Sequence, residues 1–126
     1  MSVAYVDTSC LVAIAFSERG GTAMARRMAE FDELISSNLL EAELRSTFRR
    51  ERVELPPSLL SSIAWIIPDR PLNREIARVL EAGSMRGADC WHLATALYLA
   101  KEASSISFLT LDDAQRKGAH ALGFKG

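Results

Sequence analysis

"VAYVDTSCLVAIAF", residues 3–16, is the stretch on which the fold turns. Val3 to Val6 form a short apolar run with β-branched and aromatic members, the pattern of a buried strand. Asp7 ends that run, Thr8 and Ser9 follow, and Leu11 to Phe16 can continue as an apolar helix. A carboxylate and two hydroxyls at such a junction suit a helix cap, because they accept hydrogen bonds from the free donors of the first turn. The junction also lies at the carboxyl end of a strand, where parallel sheets collect ligands.

Working outward, strand-like runs recur at 33–36, 64–67 and 106–109. Helical patterns fall at about 9–16, 21–31, 38–52, 57–63, 73–82, 88–102 and 113–119. This alternation predicts an α/β domain with a mostly parallel sheet. The 126 residues contain no repeat, low-complexity segment or internal boundary, so one domain over 1–126 is expected. Fifteen Lys and Arg against sixteen Asp and Glu leave a net charge of −1, which gives no global attraction for a polyanion. Cys10 and Cys90 form no CxxC pair, so neither a disulfide framework nor a zinc site is suggested, and a reducing cytoplasm fits. Uninterrupted apolar runs of about six residues fall far short of the roughly 20 that a membrane span needs. No secretory signal is read at the start, since no basic region precedes the first apolar run and Asp7 interrupts it.

The chemistry resides in the acids. "SFLTLDD", residues 107–113, repeats the opening theme: a strand runs into Thr110, and Asp112 lies just beyond. Asp89 opens the apolar stretch "ADCWHLATALYLA", residues 88–100, which reads as a central helix. In the helix beginning near Asn38, Glu43 falls some 60° from Leu40, toward the inward side that Leu40 and Leu44 define. Glu41 points to the other flank, three residues after Asn38, which is the capping-box spacing. Glu41 is therefore assigned to the cap, and Glu43 to a site shared with Asp7, Asp89 and Asp112. Singly, each aspartate has an ordinary alternative as a first-turn acid. Gathered together, the four would repel one another and require a cation. Hard oxygen donors of this kind suit Mg²⁺ or Mn²⁺. Such a centre would activate water for in-line attack on phosphorus. A metal-free route through His92 and His120 is disfavoured, because His92 reads as a packing or supporting residue and His120 as a surface one. An aspartyl-phosphate route would want a second acid where Ser9 stands.

Four segments, "YVDTS", "SSNLLEAELRST", "MRGADCWHLATAL" and "FLTLDD", in this order and spacing, resemble a PIN domain. More narrowly, they resemble the VapC ribonuclease toxins of toxin–antitoxin pairs, and the resemblance covers nearly the whole chain. It implies a three-layer α/β/α fold with a central, mostly parallel sheet of four to five strands. It places the acidic metal ligands on Asp7, Glu43, Asp89 and Asp112, and pocket-lining polar residues on Thr8 or Ser9 and on Thr110. Asp113 leaves a one-residue ambiguity beside Asp112. The resemblance further implies a Mg²⁺- or Mn²⁺-dependent endoribonuclease, inhibited by a cognate VapB-like antitoxin, and a homodimer.

Cations stand at Arg26 and Arg27, at Arg45, Arg49, Arg50 and Arg52, at Arg86, and at Arg116 and Lys117. Most such arginines are solvated helix faces. Arg86 is assigned to substrate, because three residues before Asp89 it can reach a phosphate. Trp65 and Trp91 read as core. The competing reading is a non-catalytic module of the same fold that binds RNA or supports an assembly, with its carboxylates retained but without turnover.

Overall fold

The computed structural model describes residues 1–126. Four strands, β1 (Val3–Val6), β2 (Glu33–Ser37), β3 (Ile63–Ile66) and β4 (Ser107–Leu109), form one parallel sheet in the order β3-β2-β1-β4. Six helices surround it: α1 (Thr8–Ala15), α2 (Gly21–Met28), α3 (Leu39–Glu51), α4 (Asn73–Ala82), α5 (Gly87–Leu99) and α6 (Asp113–Leu122).

Alternation along the strands divides the interior in two. Tyr5, Ile35 and Phe108 point to one face and pack with Leu93 and Leu97 of α5, Val79 of α4 and Leu122 of α6. Ala4, Val6 and Leu109 point to the other and pack with Leu11 of α1 and Leu40, Leu44 and Phe48 of α3. Helices therefore cover both faces, the three-layer arrangement that an all-parallel sheet requires. Tyr5 and Phe108 stack across β1 and β4 with ring centroids 5.0 Å apart. A Cβ on Gly21 would stand 2.4 Å from the Ala13 carbonyl oxygen, so α2 reaches α1 at a point where no side chain fits.

The two sheet edges differ. Beyond β4, Lys125 adds a parallel rung against Ser107, and its carbonyl accepts from the Phe108 N–H at 2.8 Å. No strand pairs with the outer side of β3, which is followed by the exposed Ile67 and by Pro68.

Several expected boundaries move. The helix expected over 57–63 is a single 3-10 turn, Pro57–Leu59, and Ile63 instead pairs with Leu34. A segment of that length cannot repay the cost of helix nucleation, and strand pairing claims its end. The central helix stops at Leu99, where Ala100 turns extended, and a separate 3-10 turn covers Ala103–Ser105. The last helix runs three residues further than expected, to Leu122, and closes on Gly123 at φ 100°, a conformation that glycine adopts without strain. Asn38 forms no backbone cap for α3. Its amide bonds the Glu41 side chain at 3.1 Å, and the Ser37 hydroxyl accepts from Leu39 N–H. Glu41, expected as the cap's return arm, is instead paired with Arg45 at 2.7 Å.

Candidate active site

At the carboxyl end of the sheet, Asp7 follows β1 and Thr110 follows β4, while Ser37 closes β2. The N-termini of α1, α3, α5 and α6 gather there. Asp7 caps α1, its Oδ2 accepting from the Ser9 N–H at 3.1 Å and the Ser9 hydroxyl at 2.7 Å. Asp112 caps α6, its Oδ1 accepting from the Gln115 N–H at 2.8 Å. Both aspartates are thus caps, as their position suggests, yet the cap occupies only one oxygen of each. Asp7 Oδ1 and Asp112 Oδ2 accept no hydrogen bond, and neither is sealed from solvent.

Glu43 turns inward from α3. Its Oε1 accepts from the Thr8 hydroxyl and meets His92 Nε2, both at 2.8 Å, and its Oε2 stays open. Partial burial alone would raise its proton affinity. The His92 and Thr8 hydrogen bonds, with the Arg86 charge, outweigh that and hold the carboxyl below its ordinary range. Asp89, in the first turn of α5, makes no hydrogen bond through its side chain, and Arg86 stands 3.6 Å away. Its proton affinity is raised, first by burial and then by the charges of Asp112 and Asp7, with Glu43 adding to them and Arg86 opposing. Asp89 thus feels all three other acids, although they are distant in the chain.

The sign of that shift gives a prediction. Ionising Asp89 costs the native state more than the unfolded chain, so its favourable contribution is complete at acid pH and is lost as pH rises through the carboxylate range. Asp89→Asn should therefore melt a few degrees above the wild type at pH 7 in metal-free buffer. The two should converge near pH 3, as thermal denaturation across pH will show.

Behind the acids lies a buried polar chain. The Tyr5 hydroxyl accepts from the Ser37 N–H at 2.9 Å and lies 2.7 Å from His92 Nδ1. With that N–H already donating to it, the phenol directs its own hydrogen to Nδ1, which leaves the Nε2–H for Glu43. Burial, largest among several influences, pushes the Tyr5 hydroxyl's proton affinity well up, so it stays a donor. On the other side, the Thr110 hydroxyl lies 3.2 Å from Asp7 Oδ2 and 2.7 Å from Gln115 Oε1, and accepts from the Asp112 N–H. The Gln115 amide donates to the Asp89 carbonyl at 3.1 Å.

All the residues expected from sequence stand in this region. Asp7, Thr8 and Thr110 are buried, Glu43, Ser9, Asp89 and Asp112 are half-buried, and Arg86 is exposed at the rim. Asp113 faces away and pairs with Arg116 at 2.9 Å. His92 is wholly buried against Glu43, His120 lies on the surface, and Cys10 and Cys90 pack as small core residues. Burial, with the Asp7 charge adding to it, pushes the Cys10 thiol up to about 12, far from a nucleophile. Trp65 and Trp91 are part-buried against the two cores. Sequence reasoning passed over Tyr5 and Gln115. Gln115 carried a signal, since with Gly118, Ala119 and Leu122 it forms the inward stripe of α6, where an amide needs internal partners.

In one respect the arrangement differs from the expected cage: no three His, Cys, Asp or Glu side chains close around a single point. Like charges move apart where protein donors are on offer, and here Ser9, Thr8 with His92, and the Gln115 N–H hold three of the four acids. The donors still suit a hard divalent cation, which keeps several waters and takes one or two carboxylates. Every acid retains an unbonded oxygen, and Asp89 is opposed only by the exposed Arg86 at 3.6 Å.

The family model for the PIN domain matches residues 4–121, from β1 to the last turn of α6. No curated protein and no solved structure gives a significant match.

Proposed function

Since the chain belongs to the PIN-domain family, whose domains are generally nucleases, we propose that it is a divalent-metal-dependent endoribonuclease centred on Asp7, Glu43, Asp89 and Asp112. The observation that carries this reading is the gathering of the four acids at the carboxyl end of a parallel sheet, with His92 between Asp7 and Glu43 and Gln115 joining Asp112 to Asp89. Mg²⁺ or Mn²⁺ held by these carboxylates would supply water activated for in-line attack on phosphorus and charge to stabilise the departing oxygen.

The chain's own groups do the positioning. Ser9 and Thr110 hold Asp7, and Thr8 and His92 hold Glu43, so each acid presents its open oxygen outward. Thr8, Ser9 and Thr110 act on the substrate through the carboxylates they fix. Arg86, exposed at the rim and 3.6 Å from Asp89, can exchange that pairing for a phosphate. We read the chain further as the toxin of a toxin–antitoxin pair, with a VapB-like antitoxin as partner. A homodimer is part of that reading, and the apolar cleft of Ile76, Leu80, Met85 and Trp91 between α4 and α5 offers a face for the second copy.

With Mg²⁺ or Mn²⁺, the purified protein should cut RNA to fragments with 5′-phosphate and 3′-hydroxyl ends, and EDTA should stop it. RNA bound equally with and without the ion, and left intact, would instead identify a binding module. No helix is long and apolar enough to cross a membrane.

A further inference from the structure

Beside the outer edge of β4, α6 and the segment after it enclose a cleft of about 440 Å³. The nearly buried Phe108 and Phe124 close its floor, and Arg116, Lys117, His120 and Lys125 stand around it. No acidic side chain lines it. Arg116 is held by Asp113 and by the Thr110 carbonyl, to which it donates at 3.0 Å. The side chains of Lys117, His120 and Lys125 make no hydrogen bond or ion pair with the protein. In a chain of net charge −1, this places two uncommitted lysines beside one cleft.

The cleft adjoins the acidic centre. Phe108 and Thr110 are two residues apart, roughly 7 Å along an extended chain. Arg116 touches both places, lining the cleft while bonding the residue that holds Asp7. The volume is that of a small-ligand site. A positively charged groove is what tracks the phosphate backbone of single-stranded nucleic acid.

We propose that this cleft binds the single-stranded RNA flank next to the cut, with its phosphates on Lys117 and Lys125. The proposal rests on the endoribonuclease reading and extends it by a subsite. Both lysines are exposed, so their loss leaves the fold intact.

The test compares the wild type with a Lys117→Ala/Lys125→Ala double variant. Cleavage is followed on a long single-stranded RNA and on a dinucleotide too short to reach the cleft, and binding is measured by fluorescence anisotropy in EDTA. For the long RNA, KM should rise roughly tenfold with kcat unchanged, and the slope of log Kd against log salt should fall by about 1.4 for two lost phosphate contacts. Dinucleotide cleavage and the melting temperature should not move. A double variant identical to a wild type that cuts RNA overturns the inference alone, and so does one impaired only in binding a protein partner. Binding that depends on the two lysines in a wild type that never cuts keeps the inference and removes the nuclease reading. A wild type that neither binds nor cuts removes both.

Discussion

Asp7→Asn should lower RNA cleavage by about 10³-fold or more while the protein melts close to the wild-type temperature. Asparagine caps a helix as well as aspartate does, so its carbonyl oxygen can keep the Ser9 and Thr110 hydrogen bonds. The amide nitrogen then falls where Asp7 Oδ1 was open, and replaces a negative acceptor with a neutral donor. A centre that must concentrate positive charge on a phosphodiester loses several kcal/mol of transition-state stabilisation by that exchange. The cap's persistence should hold the stability change within about 1 kcal/mol. Gel-based cleavage beside a thermal melt separates the two effects, and undiminished cleavage would remove Asp7 from the chemistry.

Tyr5→Phe should destabilise the fold by about 2–4 kcal/mol, although it removes one oxygen and leaves the ring stacked on Phe108. That oxygen is shared. Its loss leaves the Ser37 N–H without an acceptor and His92 Nδ1 without a donor, and both residues are buried. A fall in melting temperature on the order of 10 °C follows. Because His92 fixes Glu43, cleavage per folded molecule should also drop, roughly 10- to 100-fold by analogy with other supporting groups behind metal-ligating side chains. A melt and an active-fraction-corrected rate check both. A stable, fully active Tyr5→Phe protein would show that water replaces the phenol at no cost.

These two residues also mark what the chain made readable. The strands were legible because each is a short apolar run bounded by turn residues, and their order along the chain implied a parallel sheet. Glu43 was separable from Glu41 by helical phase alone, since Leu40 and Leu44 define the buried side of α3. The caps at Asp7 and Asp112 were legible for the same local reason. What escaped was non-local. The bond from Tyr5 to His92 joins residues 87 apart, and nothing near either names the other. Asn38 held the expected cap position, but Ser37 supplied the oxygen, a slip of one residue that helix propensity cannot resolve. The lost helix at 57–63 was a competition that β2 won by pairing.

The unequal edges of the sheet bear on how the molecule behaves in a crowded solution. On the β4 side, the backbone rung from Lys125 leaves little for a foreign chain to grip. Only the β3 side presents unshared backbone donors and acceptors, over four residues, before Pro68 removes the next-but-one amide hydrogen. An intruding peptide would find too short a template there to zip along, so self-templated fibre growth has no obvious starting rail on this protein.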